Sequence, residues 1–346
     1  MAINDINPIP STIFDTDGCG GDGGDGGDGC GGGGGGCGGG DGCNINIIKY
    51  IRKTFAPMKP IVPIIKNGII GPYKFIHIID SGTYGVVWEG IDTRTQNKVA
   101  IKVQCNNKDS DEESYKSAFR ELRCLYSLND IDNIVKLLDA FYYNSTLFFV
   151  LEYCEQTLHH LFITLRRSDD KVNVLKLIFK QILIGLMEIN KKGYCHLDIK
   201  PKNILIDSSG TVKICDFSIS CKQDEIRNGE EYQTAWYRSP EAVSNHLWGA
   251  YFKHNFDIGY NTDIWSIGCM FFEGMTGGEI FYRYDTSSHL HEAFKQKKFY
   301  NEDNSYINNK LSQYPLLVDF IKKCITYNKS SRPTAEQLLE HPFFMC

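Results

Sequence analysis

The first 48 residues contain no Lys, Arg or Glu, and no Cys-x-x-Cys pair occurs among the 13 cysteines. Cys19, Cys30, Cys37 and Cys43 lack the regular spacing of a zinc site, so reduced thiols in an intracellular chain are expected. Excess positive charge is missing as well. Residues 1–48 carry seven Asp, leaving 37 basic against 35 acidic residues in the remainder. No basic face for nucleic acid is implied. A secretory signal is absent from the opening Met-Ala-Ile-Asn-Asp, and the longest apolar-rich run, Val172 to Ile189, is broken by Lys176, Lys180 and Gln181. These absences point to an intracellular protein, cytoplasmic or nuclear (host cytoplasm for a viral source), with no nucleic-acid or membrane partner. A monomer is expected.

From Gly18 to Gly42, 18 of 25 residues are Gly and the others Asp or Cys. Such a segment buries almost nothing and loses the most backbone entropy on ordering. Residues 1–43 are therefore expected to be a disordered low-complexity tail. Residues 44–72, with Pro57, Pro60 and Pro63, read as an extended linker. Metal binding by the tail cysteines or Ca²⁺ binding by the Gly-Gly-Asp repeat is the alternative, but the repeat has no apolar position on which to build a β-helix.

At Tyr73 the pattern changes. Tyr73–Ile79, Val86–Gly90, Val99–Lys102, Val135–Phe141 and Leu147–Leu151 read as five strands. Gly82 and Gly85 lie in a tight connection where backbone N–H groups could approach phosphate. Lys102 ends a buried strand and needs a partner. Glu121 is the candidate, on an amphipathic helix with Phe119, Leu122, Leu125 and Leu128. A longer helix follows, with Val174, Ile178, Ile182 and Leu186 stepping by four. It leads into Tyr194–Asn203, where Pro201 prevents helical continuation. On that loop a carboxylate (Asp198), an ammonium (Lys200) and an amide (Asn203) can converge on one point. The carboxylate can take a hydroxyl proton, the ammonium can hold phosphoryl charge, and the amide oxygen can bind Mg²⁺. Asp216, ending the strand Val212–Cys215, offers a second metal ligand.

These pieces, in this order, resemble the eukaryotic protein kinase family: Gly82-x-x-Gly85-Val86, Val99-Ala-Ile-Lys102, Glu121, His196-Leu-Asp198-x-Lys200-x-x-Asn203, Asp216-Phe217 and Ser239-Pro240-Glu241. Asp263-Ile-Trp265 and Arg332-Pro333 extend the likeness, which covers residues 73–346. The resemblance implies an α+β, bilobal fold, with a small β lobe over 73–153 and a mainly helical lobe over 154–346. It implies ATP and Mg²⁺ as cofactors and protein serines or threonines as substrates. Lys200 matches serine/threonine specificity, while Thr234-Ala-Trp236-Tyr-Arg238 and the closing Arg332-Pro-Thr resemble the cyclin-dependent and MAP kinase group, which often prefers Pro after the phosphorylated residue. By the same likeness Asp198 accepts or orients the hydroxyl proton, Lys200 steadies the γ-phosphate, Asn203 and Asp216 hold Mg²⁺, and Lys102 with Glu121 holds the α- and β-phosphates. Leu151, Glu152, Tyr153 and Cys154 match the gatekeeper and hinge. Ile79, Val86, Val87, Ala100 and Leu205 complete the expected nucleotide contacts. Glu241 resembles a structural partner of Arg332.

Several positions depart from the family pattern. Asp80 replaces the first glycine of the loop, Ser218 the glycine after Asp-Phe, and Leu197 the arginine that clamps an activation-segment phosphate. No Ser or Thr lies between Cys221 and Gln233; Gly229 occupies the usual phosphosite, beside Glu230 and Glu231. Activity without activation-segment phosphorylation is expected unless Tyr232 is used. Residues 245–259 read as an inserted surface loop, and no cyclin-type signature precedes Glu121. A pseudokinase scaffold is the rival reading, opposed by the complete set Lys102, Glu121, Asp198, Lys200, Asn203 and Asp216. A small-molecule kinase is opposed by the peptide-positioning segment Thr234–Glu241.

Overall fold

A computed structural model describes residues 7–8, 68–82, 85–104, 111–144, 146–251, 258–281, 283–284, 286–295 and 305–345. The glycine-rich stretch, the linker up to residue 67, the loop tip 83–84 and residues 252–257 lie outside them.

The smaller lobe is an antiparallel sheet. Its strands are β1 (Asn7–Pro8), β2 (Ile69–Ile70), β3 (Tyr73–Gly82), β4 (Gly85–Asp92), β5 (Lys98–Gln104), β6 (Leu137–Tyr143) and β7 (Thr146–Glu152), with helix α1 (Asp111–Ser127) between β5 and β6. The order across the sheet is β1-β6-β7-β5-β4-β3-β2. Five strands were expected; the structure adds two short edge strands. Ile69–Ile70 lies inside the stretch read as linker, and Asn7–Pro8 inside the stretch read as tail, pairing with Tyr142 and Phe141.

Period-two alternation divides β5 between two environments. Val99, Ile101 and Val103 join Tyr73, Phe75, Phe141, Phe148 and Val150 in a satellite cluster. Ala100, Lys102 and Gln104 take the opposite face, towards α1. On α1, Ala118, Leu122 and Leu125 recur at helical spacing and enter the main core.

The larger lobe opens with β8 (Gln156–Thr157), α2 (Leu158–Thr164) and α3 (Lys171–Lys191). The predicted stripe of α3 is observed: Ile178, Ile182, Leu183 and Leu186 are buried. Strands β9 (Tyr194–Cys195), β10 (Ile204–Ile206), β11 (Val212–Ile214) and β12 (Cys221–Lys222) frame the loop that bears Asp198. Helices α4 (Pro240–Trp248), α5 (Tyr260–Thr276), α6 (Ser287–Lys295), α7 (Ser305–Leu311), α8 (Pro315–Cys324), α9 (Ala335–Leu339) and α10 (Pro342–Met345) complete it. Helix α4 continues to Trp248 and Ile258 is buried, so the surface insertion read over 245–259 is shorter than expected. Thr334 and Gln337 form a capping box at the start of α9. No described helix is long and apolar enough to cross a membrane.

Helix α5 is buried from Thr262 through Met275. A helix buried all round must pair every polar side chain it carries. Asp263 accepts from the backbone N–H groups of His196 and Leu197 at 2.8 Å each. Ser266 donates to the Tyr237 carbonyl, and Glu273 accepts from the Tyr237 hydroxyl at 2.6 Å. Its polar residues thereby fix both the catalytic-type loop and the segment 233–241.

Candidate active site

Residues far apart in the chain converge between the lobes. Lys102 Nζ lies 2.6 Å from Glu121 Oε1 and 3.1 Å from Asp216 Oδ1. Gln104 donates to the other Glu121 oxygen at 3.1 Å. Burial alone would lower the pKa of Lys102, but the Asp216 and Glu121 carboxylates raise it. Burial likewise opposes ionisation of Asp216, yet the Lys102 ammonium holds its carboxyl at about 2. Burial also raises the Glu121 pKa, against the pull of the Lys102 ammonium and the Gln104 amide, and the three groups form one hydrogen-bonded triad.

On the facing loop, Lys200 Nζ is 2.6 Å from Asp198 Oδ2 and 3.0 Å from Thr234 Oγ1. The Thr234 hydroxyl and backbone N–H donate to Asp198 Oδ1 at 2.8 and 3.1 Å. Asn203 Nδ2 donates to the Asp198 carbonyl at 2.9 Å and to its carboxylate at 3.0 Å. With its amide nitrogen so engaged, Asn203 keeps its amide oxygen for another partner. Underneath, the Asp198 N–H donates to His196 Nδ1 at 3.2 Å, so His196 Nε2–H is left to donate to the Cys215 carbonyl at 3.0 Å. Burial lowers the pKa of His196 and keeps the ring neutral. Asp263 is pushed up to about 7 by burial, against the pull of the His196 and Leu197 N–H groups.

Three non-glycine residues here adopt left-handed backbone: Leu197 (φ 65°), Asp216 (φ 64°) and Gln233 (φ 63°). Each conformation costs about 1 kcal/mol or more and persists only where surrounding contacts over-determine it. Asp263 fixes Leu197 and Lys102 fixes Asp216. Gln233 is fixed by side-chain bonds to the Thr262 carbonyl, Ser266 Oγ and the Ser239 N–H.

Glycine is demanded at position 85 by packing, since a Cβ there would stand 2.4 Å from the Val103 carbonyl oxygen. At Gly82 a Cβ would meet nothing within 4 Å, so packing gives no reason for the residue. Among the predicted nucleotide contacts, Val87 pairs with Lys102 and Ala100 with Leu151, on the cleft face. Val86 pairs with Val103 instead. It belongs to the opposite face, and its predicted contact is corrected by the alternation of the strand. Ile79 lies at the bulge between Ile78 and Asp80 and is exposed. Leu205 pairs with Lys213 and Thr157. The Glu152 side chain turns away to Lys213 (3.1 Å) and the Lys136 N–H (2.8 Å), leaving backbone groups at the hinge. Cys154 is half-buried, its thiol pushed up to about 12 by burial.

The donors fit Mg²⁺. An ionised carboxylate and an amide oxygen are hard oxygen ligands, and Mg²⁺ is typically held by one or two carboxylates plus substrate phosphates. In the sequence Thr234 and Asp263 stand out only as parts of motifs, with no signal for the bonds they make here. Gln104 and Gln233 carried no signal, because an isolated glutamine looks alike on a surface and in a hydrogen-bonded core.

The family model of the protein kinase domain matches residues 73–344. The chain belongs to the protein kinase family. Mitogen-activated protein kinase 12 of Rattus norvegicus is 30% identical over 300 residues, covering 79% of this kinase and 78% of that protein. Cyclin-dependent kinase-like 4 of Homo sapiens is 31% identical over 300 residues, 79% and 75% of the two chains. A serine/threonine-protein kinase of Saccharomyces cerevisiae is 28% identical over 273 residues, 78% of this kinase but only 23% of that protein's length. The kinase is a CMGC-like serine/threonine protein kinase that uses ATP and phosphorylates protein substrates.

Proposed function

We propose that this kinase transfers the γ-phosphoryl group of Mg²⁺-bound ATP to serines or threonines followed by proline, without prior phosphorylation of its own activation segment. One observation carries the transfer site: Lys102, Glu121 and Asp216 form one hydrogen-bonded set, facing a second set of Asp198, Lys200, Asn203 and Thr234. Asp198 orients the substrate hydroxyl and takes its proton. Lys200 steadies the transferring phosphoryl group, and Thr234 fixes both. Lys102 holds the α- and β-phosphates, and Asn203 with Asp216 would hold Mg²⁺, which supplies charge neutralisation when bound. Positioning and electrostatics supply most of the catalysis in such a transfer.

Proline preference is supported by Gln233. Its left-handed carbonyl is taken by Arg238 Nε at 3.0 Å and Nη2 at 2.7 Å. An incoming substrate N–H finds no free acceptor there, and an unpaired amide is costly. Proline brings no N–H.

Independence from phosphorylation is supported by what replaces a phosphate clamp. Leu197 is packed among Cys195, Cys221, Tyr232, Ala242 and Ile258. Glu231 pairs with Arg238 at 2.6 Å, and Tyr232, buried, donates to Glu230 at 2.9 Å. The Tyr232 hydroxyl is therefore withdrawn from modification. The test is a peptide pair differing only in Pro or Ala after the serine, assayed with phosphatase-treated enzyme. A kcat/KM at least about tenfold higher for the proline peptide is expected, the scale of one unpaired hydrogen bond. Equal rates contradict the specificity, and wild-type activity after changing Glu230 and Glu231 together to Ala contradicts the carboxylates' role.

A further inference from the structure

The small-lobe ladder ends at Glu152, the last residue of β7, and the large-lobe ladder begins at Gln156, the first of β8. Residues 153–155 carry the chain from one to the other. The far end of this crossing is pinned to β10, where the Glu155 N–H donates to the Ile206 carbonyl at 3.1 Å. The near end is pinned through a side chain. Glu152 Oε1 accepts from Lys213 Nζ at 3.1 Å and from the Lys136 N–H at 2.8 Å. The Glu152 N–H in turn donates to the Lys136 carbonyl at 3.0 Å. Residues 133–135 lie along β11: the Ile214 N–H donates to the Asn133 carbonyl at 2.8 Å, and the Val135 N–H to the Ile214 carbonyl at 3.0 Å. Asn133 Nδ2 adds a bond to the Val212 carbonyl at 3.1 Å. These contacts close a ring from β7 through residues 133–136 to β11 and back to Glu152.

Lys213 interrupts an apolar strand. Val212 and Ile214 are fully buried in the main core, which puts Lys213 on the other face of β11, directly opposite Leu205 in the register. Leu205 is one of the expected nucleotide contacts, and Asp216 follows Lys213 three residues later. The Lys213 side chain is 8% exposed and that of Glu152 24%, so solvent screens the pair little. A position that needed only filling would take Leu or Met, because a buried ion pair seldom adds stability over apolar residues of the same size. What the pair adds is direction: a single ammonium ties the hinge end of the cleft to the strand that leads to Asp216.

We propose that Glu152 and Lys213 are positioning residues for ATP, a strut between the lobes that holds the hinge against strand β11 and so sets the base-binding end of the cleft relative to Asp216. The inference rests on the reading of residues 151–154 as the hinge that binds the base. Holding both ends in place before the nucleotide arrives lowers the ordering cost of binding it.

Steady-state kinetics, thermal unfolding and amide exchange at residues 152–157 are measured on one set of variants. Lys213→Met keeps the stem and removes the ammonium; Glu152→Gln keeps the shape and the bond to the Lys136 N–H. Each is expected to raise KM for ATP about tenfold, the scale of one hydrogen bond to a charged group. A fall in kcat of less than about threefold accompanies it, the pattern of lost binding rather than lost chemistry. Both variants speed exchange at 152–157 in nucleotide-free enzyme. The double variant raises KM by the same factor as either single one, because one contact is removed once. It also regains the thermal stability lost in Lys213→Met, because no charge is left buried without its partner. Lys213→Arg, which keeps the charge, stays near wild type in KM and exchange. Wild-type KM in the single variants, whatever their stability, overturns the strut, as does a kcat above wild type or KM increases that multiply in the double variant. If ATP does not slow exchange at 152–157 of the wild-type enzyme, the hinge reading itself falls, so the two failures are told apart.

Discussion

Asp198 receives donors from three residues, Lys200, Asn203 and Thr234, and this network fixes its orientation before substrate arrives. Replacing Asp198 with Asn keeps the shape and removes the group proposed to accept the proton. A fall in kcat of about 10³-fold is expected, within the range for a lost general base, while nucleotide affinity by calorimetry stays unchanged. The acid behaviour of Asp216 follows from its environment. Its folded pKa of about 2 lies below the 3.8 of an unperturbed carboxyl. The folded state therefore binds this proton less tightly than the unfolded chain. Its stabilising contribution is complete above about pH 4 and is lost as pH falls from there towards 2. The Asp216→Asn protein should lose less stability than wild type between pH 5 and pH 3, measured by urea unfolding; an identical decline contradicts the shift. The convergence of Lys102, Asp198, Lys200, Asn203 and Asp216 was legible because their spacing is itself the signal. Val86 was misplaced because one step along a strand changes faces. Gln233 was invisible because its task depends on a backbone conformation that residue type does not announce.

At the scale of elements, strands and helices with clear periodicity were readable, and short pairings were not. Strand β1 has two residues and β2 two, too few to show any period. The activation segment is held to helix α4 by a close backbone approach. Gly229 has φ +84°, and a Cβ on Gly249 would stand 2.2 Å from the Gly229 nitrogen and 2.5 Å from the Asn245 carbonyl oxygen. Asn245 completes the joint, donating to the Glu230 carbonyl at 2.9 Å. Gly249→Ala must push these backbones apart. A loss of about 1–3 kcal/mol in unfolding free energy is expected, the range for strain at a constrained position, together with reduced kcat, because the displaced segment bears Glu231 and Thr234. Unchanged stability and activity in that variant contradict the joint.

At the scale of the whole molecule, the large lobe is closed by a pair far apart in sequence. Arg332 Nη1 and Nη2 meet the two Glu241 oxygens at 2.6 and 2.7 Å, with the Arg332 side chain fully buried. The guanidinium also donates to the carbonyls of Asn261 and Thr326, and it lies 4.9 Å from the Trp265 ring. Removing one partner strands a buried charge. Arg332→Ala should cost about 3–5 kcal/mol in a chemical-denaturation series, and Arg332→Lys should recover little, because an ammonium cannot form the two-pronged bond. Full stability in either variant contradicts this account of the lobe. The pairing was legible from motif order.

Transfer of labelled γ-phosphate to a Ser-Pro peptide by phosphatase-treated enzyme tests the central claim most directly. The account predicts Mg²⁺-dependent turnover onto the serine, lost in Asp198→Asn, with no phosphate found between residues 217 and 239 of the enzyme. Nucleotide binding with no transfer at any Mg²⁺ concentration, or turnover that begins only after that segment is phosphorylated, contradicts it.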